Sequence, residues 1–164
     1  MKILNHQQIE QKLKRIAYEI LESNFNFKKL CFLGINNNGF TFARLLQEQY
    51  DLVGNKQSIL GKITLNPAAP LDSEISLNVD DKTLNNKNVI LVDDVANTGR
   101  TLFYALTPIL KFLPKKVEVA VLIDRKHKMF PIKADYVGLS LATTLDENIK
   151  VEIKKESKRA AFLQ

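Results

Sequence analysis

Two adjacent carboxylates, Asp93 and Asp94, stand at the end of an apolar run, with Thr98, Gly99 and Thr101 close behind. The stretch from residue 89 reads Val-Ile-Leu-Val-Asp-Asp-Val-Ala-Asn-Thr-Gly-Arg-Thr-Leu. A buried strand that turns into a helix leaves free backbone N–H groups at the helix start. Thr98 and Thr101 add hydroxyl donors, and Gly99 leaves the backbone bare where a phosphate would approach. Together these make a nest for a monophosphate. Carboxylates beside such a nest would repel the ligand unless they hold a hydrated Mg²⁺ or hydrogen-bond ribose hydroxyls. A single Asp at a strand end is usually a turn former, and Thr-Gly is usually a turn. The whole run, in order and after four apolar residues, is far more specific.

Composition sets the bounds around that run. The chain has 164 residues, with 24 Lys and Arg against 18 Asp and Glu, a formal net charge of +6. The length fits one domain. A hydrophobic content of 45% with 26% charged residues is that of a globular protein. The single cysteine, Cys31, forbids an intrachain disulfide and fits a reducing, cytoplasmic setting. No apolar run approaches the roughly 18 residues of a membrane-spanning helix. The N-terminus, Met1-Lys2-Ile3-Leu4-Asn5-His6, turns polar too soon for a signal peptide. The positive balance suggests an anionic partner, either a phosphate-rich small molecule or nucleic acid.

The hydrophobic period predicts the elements that position the acidic run. Asn5 with Gln8 forms a capping-box pattern, and Ile9, Leu13, Ile16, Ala17, Ile20 and Leu21 recur at helical spacing over about residues 6–23. Leu30 to Ile35 is a continuous apolar run, as in a strand buried on both faces of a parallel sheet. Asn36-Asn37-Asn38-Gly39 breaks it, and Phe40 to Gln49 reads as helix. Ile59 to Leu65 is a weaker strand, and residues 66–87 read as a long mobile loop. Asn88 to Asp93 is the clearest strand, with a helix expected from Thr98 or Gly99 to Leu113 that Pro108 could kink or end. Val117 to Asp124, Tyr136 to Leu141 and Ile149 to Ile153 complete the strands. Strands alternating with helices imply an α/β domain with a mainly parallel sheet flanked by helices. Ligands in such sheets sit at the carboxyl ends of strands, here residues 34–39, 93–101 and 124–128.

The acidic run resembles the 5-phosphoribosyl 1-pyrophosphate (PRPP) motif of type I phosphoribosyltransferases. Asn5-His6-Gln7-Gln8-Ile9, Arg15-Ile16-Ala17, Asp93-Asp94-Val95 and Ala134-Asp135-Tyr136-Val137-Gly138 further resemble the PyrR family, from about residue 3 to 155. Those proteins are pyrimidine-operon RNA-binding attenuators with uracil phosphoribosyltransferase activity. The resemblance implies a Rossmann-like type I fold with a small hood, a lid at about 66–87 and a base-pocket segment at about 134–155. It implies that Val95, Ala96, Asn97, Thr98, Gly99, Arg100 and Thr101 cradle the 5′-phosphate. Asp93 and Asp94 would act in catalysis on the ribose, directly or through the waters of Mg²⁺. Ile35, Asn36, Asn37, Asn38 and Gly39 match the pyrophosphate loop. Arg125, Tyr136 and Val137 match the base side, with Tyr136 as the stacking ring, ordinary core packing being the other reading of Tyr136. His127 reads as a surface polar residue.

Two departures stand out. Where the PyrR loop carries a Lys-Thr-Arg-type run, this chain has three asparagines, which hydrogen-bond but cannot neutralise charge. Another reading of Asn-Asn-Asn-Gly is simple capping of the next helix. Where the lid is rich in Tyr, Arg and Asp, this chain has Asn66-Pro67-Ala68-Ala69-Pro70. Both changes remove positive charge from the pyrophosphate side. The expectation is a protein that holds a nucleotide 5′-phosphate better than it turns over PRPP. A transferase acting on PRPP and a nucleobase, and a nucleotide-sensing regulator binding UMP-like ligands or an mRNA leader, are therefore both carried forward. Lys14, Arg15, Lys128 and Lys133 are the candidate RNA contacts, Lys154 to Arg159 reads as a fraying tail, and the resemblance implies a homodimer or dimer-based oligomer.

Overall fold

The computed structural model describes residues 1–80, 82–144 and 146–164. Its elements, in chain order, are β1 (Lys2–Leu4), α1 (His6–Ser23), β2 (Leu30–Ile35), α2 (Asn36–Gly54), β3 (Ile59–Thr64), β4 (Ser76–Leu77), β5 (Asn88–Ala96), α3 (Arg100–Ala105), β6 (Lys116–Arg125), β7 (Tyr136–Leu141), β8 (Ile149–Glu152) and β9 (Ala160–Leu163). The main sheet has the order β4-β3-β2-β5-β6-β7. Every pairing in it is parallel except that of β3 with the edge strand β4. A second, antiparallel sheet, β1-β9-β8, forms the hood.

The continuous apolar runs become central strands because both faces of the sheet are covered. In β2, Leu30 and Phe32 pack into one core while Cys31, Leu33 and Ile35 pack into the other. In β5, Ile90 and Val92 separate in the same way from Val89 and Leu91. One core takes the buried stripe of α1 and the inner face of α2, and the other takes Leu102, Ala105 and Ile109. Cys31 is fully enclosed, and burial pushes its thiol up to about 12, so it is unreactive. The Asn5 side chain accepts from the Gln8 N–H while the Gln8 side chain accepts from the Asn5 N–H, completing the expected capping box.

Several boundaries differ from expectation. The helix expected to reach Leu113 ends at Ala105, with a 3₁₀ turn at Ile109–Lys111 in place of its second half. Pro108 has no N–H to continue the ladder. The 66–87 segment is not one long loop. Ser76 and Leu77 pair with Thr64 and Ile63, and Ile75 and Leu84 are buried. The alternation Ile75, Leu77, Val79 was the available signal, and all three pack into the second core. The C-terminal segment does not fray. Arg159 is buried, paired with Glu10 of α1 and donating to the Ile153 carbonyl. Ala160 and Ala161 bury behind it as β9 closes the hood against β1 and β8.

Candidate functional site

The carboxyl ends of β2, β5, β6 and β7 converge with the hood over one edge of the main sheet. β5 runs through both acids, pairing Asp93 with Val121 and Ala96 with Asp124. The Asp93 Oδ1 accepts the Asp94 N–H at 2.9 Å, and the Asp94 Oδ1 accepts the Val95 N–H at 3.0 Å. The Asp93 carboxyl is pushed well above its ordinary value, first by burial and then by the Asp94 charge beside it. A buried carboxylate next to another is a place where a proton or a cation is favoured.

Residues Asn97–Thr101 turn from β5 into α3. Gly99 takes φ +84, a conformation that favours glycine, and a Cβ there would lie a tight 3.3 Å from the Ile132 Cβ. The loop is braced from outside. The Thr98 carbonyl accepts the Met129 N–H at 2.9 Å and the Phe130 N–H at 3.2 Å. Arg125 donates to the Asn97 Oδ1 at 3.2 Å, the Thr143 Oγ1 at 2.7 Å and the Thr144 carbonyl at 2.8 Å. Lys128 pairs with Asp124 and donates to the Asn97 carbonyl at 3.2 Å. Asp93, Val95, Ala96, Asn97, Thr98, Gly99, Arg100 and Thr101 all line one small concavity. Because α3 has six residues, its dipole is short, and loop amides and hydroxyls are the principal donors here.

The three asparagines end β2 as expected and form the first turn of α2, which starts at Asn36 and not at Phe40. Asn36 sits at φ 52, a left-handed geometry that asparagine tolerates. None of the three caps the helix; the N-cap is Ile35, without a side-chain bond. Their amides tie neighbouring segments together. Asn36 Oδ1 accepts the Leu65 N–H at 3.0 Å, and Asn37 Oδ1 accepts from the Lys62 ammonium at 2.7 Å. Asn38 Nδ2 donates to Asp94 Oδ2 at 3.0 Å and to the Val151 carbonyl of β8 at 3.2 Å. Asn38 therefore joins loop, acidic pair and hood. Gly39 must be small, since a Cβ would approach the Asp93 Oδ1 to 3.0 Å.

The loop and lid residues themselves carry no cation, but lysines from elsewhere in the chain lie near Asn37 and Asn38. Lys62 of β3 reaches Asn37 and lies 5.8 Å over the Phe40 ring. Lys154, Lys155 and Lys158 line a cavity of about 350 Å³ whose wall includes Asn38. The sequence held a signal only in the basic run itself, because nothing local says that residue 154 lies beside residue 38.

The base side also differs. Tyr136 is buried at the start of β7, about five residues and roughly 16 Å along the strand from its site end. Its hydroxyl donates to the Glu118 Oε2 at 2.8 Å and accepts from Asn24 at 3.2 Å. Tyr136 is thus a core residue and cannot stack on a ligand at the carboxyl end. Val137 packs into the second core and is likewise removed from that end. Arg125 is at the site end, together with Thr143 and Thr144, which sequence reasoning missed. Of the candidate RNA contacts, Arg15 is engaged by Glu19 and by the Val137 and Gly138 carbonyls, and Lys128 by Asp124 and the Asn97 carbonyl. Lys14 and Lys133 are exposed.

No group of three or more His, Cys, Asp or Glu that could hold a metal occurs among the described residues. The two aspartates nevertheless suit Mg²⁺ carried in with a phosphorylated substrate, which commonly takes one or two carboxylates and completes its shell with phosphate oxygens and water.

Residues 1–155 match the family model described as phosphoribosyl transferase domain. The chain is 36% identical over 156 residues to the bifunctional protein PyrR of Caldicellulosiruptor saccharolyticus, covering 91% of this chain and 86% of that one. It is 34% identical over 168 residues to the pyrimidine operon regulatory protein of Lactococcus lactis subsp. lactis, covering 98% and 94%. Among solved structures it resembles a hypoxanthine-guanine phosphoribosyltransferase from Bacillus anthracis, with a TM-score of 0.76 at 21% identity, covering 98% of this chain and 96% of that chain. That last likeness speaks to the fold alone.

Proposed function

The chain belongs to the phosphoribosyl transferase domain family, and on that premise we propose that it transfers ribose 5-phosphate from PRPP to a nitrogenous base, uracil being the base the PyrR-like resemblance favours. The observation that carries this is the Asp93–Asp94 pair set directly before the Asn97–Thr101 phosphate turn and tied through Asn38 to the first turn of α2. One constellation thereby offers a place for the 5′-phosphate, the ribose and the pyrophosphate.

The loop amides, Thr98 and Thr101 hold the 5′-phosphate and fix the ribose over the acids. As pyrophosphate leaves, the anomeric carbon gains positive charge, and the fixed carboxylates stabilise it. Mg²⁺ bound with PRPP would neutralise the leaving group. The first N–H groups of α2 have no partner within the helix and face the pyrophosphate in this reading. Lys62 adds a cation there, and Lys154, Lys155 and Lys158 approach from the hood. Arg125, buried beneath the Thr143–Thr144 segment, shapes the base side. No covalent nucleophile is required.

The test is nucleotide formation from PRPP with a panel of bases, beside direct titrations of PRPP and UMP. Mg²⁺-dependent formation of UMP is expected. UMP binding with no transfer to any base would leave the nucleotide-sensing regulator as the correct reading.

Two further outcomes follow from the site. Replacing Lys154, Lys155 and Lys158 together by glutamine is expected to raise the KM for PRPP roughly tenfold, within three exposed contacts of up to about 1 kcal/mol each. UMP, which has no pyrophosphate, should lose less affinity, and equal losses for both would remove these lysines from the pyrophosphate side. Tyr136→Phe is expected to lower stability by about 1 kcal/mol in urea unfolding, because Glu118 and Asn24 lose a buried partner. The KM for the base should stay unchanged, whereas a rise without a stability loss would restore Tyr136 to the base pocket.

A second reading, an RNA-binding regulator, is supported by the operon-regulator name of the Lactococcus relative. The same resemblance supports a cytoplasmic homodimer or dimer-based oligomer, which sedimentation analysis would test.

A further inference from the structure

Asn97 follows the end of β5, Arg125 ends β6, and Thr143 lies two residues beyond β7. The parallel register pairs Ala96 with Asp124, and Arg125 with Leu141, so the three strand ends are neighbours. Arg125 is buried, and all three of its side-chain nitrogens are engaged by the chain itself. Its Nε donates to the Thr143 Oγ1 at 2.7 Å, one Nη to the Asn97 Oδ1 at 3.2 Å and the other Nη to the Thr144 carbonyl at 2.8 Å. Among the described residues, no carboxylate forms an ion pair with it.

Arginine donates and never accepts. The Asn97 amide must therefore turn its oxygen toward Arg125, which leaves the Nδ2 hydrogens directed elsewhere. Asn97 is exposed, and its Nδ2 donates to no acceptor among the described residues. The same logic fixes Thr143. Its Oγ1 accepts the Arg125 Nε–H, so its own hydrogen points away from the guanidinium, and it too donates to no acceptor among the described residues. A buried guanidinium without a carboxylate polarises the groups that accept from it, which strengthens their remaining hydrogens as donors. Two free donors, both set by one buried cation, thus stand at adjoining strand ends.

In the order β2-β5-β6-β7, the acids of β5 have α2 and its pyrophosphate side on one flank and these donors on the other. A displacement brings the entering atom in opposite the leaving group, so the base arrives over β6 and β7. An exocyclic carbonyl oxygen can accept from both donors. An exocyclic amino group in its place would set N–H against N–H and leave the donors unpaired. We propose that Asn97 and Thr143 are specificity-determining residues that select a base bearing an exocyclic oxo group over its amino counterpart, and that Arg125 is the positioning residue that fixes both as donors. This rests on the phosphoribosyl reading of the site and deepens it by naming the substrate class. The shared chemistry is that of oxopyrimidines and oxopurines alike.

The experiment is calorimetric titration of the full chain with UMP, CMP, IMP, AMP and ribose 5-phosphate, beside the same titrations of variants. The parent should bind UMP over CMP, and IMP over AMP, by about tenfold; whichever pair binds more tightly assigns the pyrimidine or the purine. Asn97→Asp keeps an acceptor for Arg125 but presents a second acceptor where Nδ2 was, and should lower the oxo-over-amino ratio about tenfold or more. Arg125→Gln, which can accept as well as donate, frees the Asn97 amide to turn and should lower the ratio too. Thr143→Val should lower it about fivefold, with Thr143→Ser restoring it. Ribose 5-phosphate has no base and should bind the parent and the Asn97 and Thr143 variants alike. Its loss in Asn97→Asp would put that side chain on the phosphate and overturn the proposal. Equal binding of oxo and amino nucleotides by the parent, or a parental ratio in Asn97→Asp and Thr143→Val, would overturn it as well. Because binding is the readout, absent phosphoribosyl transfer with the ratios as expected would sink the transferase reading and uphold this one. Binding of none of the four nucleotides would overturn both.

Discussion

Asp93→Asn/Asp94→Asn is expected to lower phosphoribosyl transfer by about 10²–10³ or more while raising the melting temperature of the ligand-free protein. The loss follows from chemistry that needs fixed negative charge beside a carbon becoming cationic; removing one such preorganised group typically costs about 3–4 kcal/mol of barrier. The stability gain follows from the burial of Asp93 beside Asp94, which raises its pKa. An acid whose folded pKa exceeds its unfolded value holds more protons when folded. Stability then falls as pH rises from the unfolded value, near 3.9, through the folded one. The destabilisation is fully present above the folded pKa and absent below the unfolded one. The variant should therefore gain most at neutral pH and nothing in strong acid. Thermal melts across pH, run beside the transfer assay, check both halves. Full activity in the double variant would place the reaction elsewhere, and a lower melting temperature at neutral pH would refute the electrostatic account of the acids.

Gly34→Ala is expected to be the most damaging single methyl group near the site. Its Cβ would lie 2.3 Å from the Phe40 Cα and 2.6 Å from the Gly39 carbonyl oxygen, both of them backbone. No side chain can rotate away to relieve this, so the first turn of α2 must move. Overpacking of this kind costs about 1–3 kcal/mol or more, a fall of roughly 2–12 °C in Tm for a chain of this size. The same shift would carry Asn38 away from Asp94 and the hood, so the KM for PRPP should rise beyond what the stability loss explains. Calorimetry with PRPP titration separates the effects. A variant with parental stability would mean that β2 and α2 can part at no cost.

The acidic pair and the Asn97–Thr101 turn were legible because they are contiguous. Their chemistry depends on neighbours within ten residues, and so does the strand-to-turn geometry that presents them. The capping box at Asn5 and Gln8 and the doubly buried strands were legible for the same reason: each is a local pattern with one dominant physical solution. Tyr136 was misplaced because an aromatic residue in a site-like motif carries no mark of which strand end it occupies. The register against Ala120 decides that, and Glu118 and Asn24 then claim its hydroxyl. The β4 segment was missed because its three alternating apolar residues lie within a polar, proline-bearing stretch.

By itself, the sequence determined the class of fold, the acidic pair, the Asn97–Thr101 turn that follows it and the family to which they belong. Whether charge lies beside Asn37 and Asn38 was decided only by tertiary structure. Residues 36–38 and 66–70 are uncharged, yet folding brings Lys62 to Asn37 and the Lys154–Lys158 segment to Asn38. A local run sets backbone geometry and chemistry, whereas the electrostatic field at a point sums over charges that only strand register and hood closure bring together.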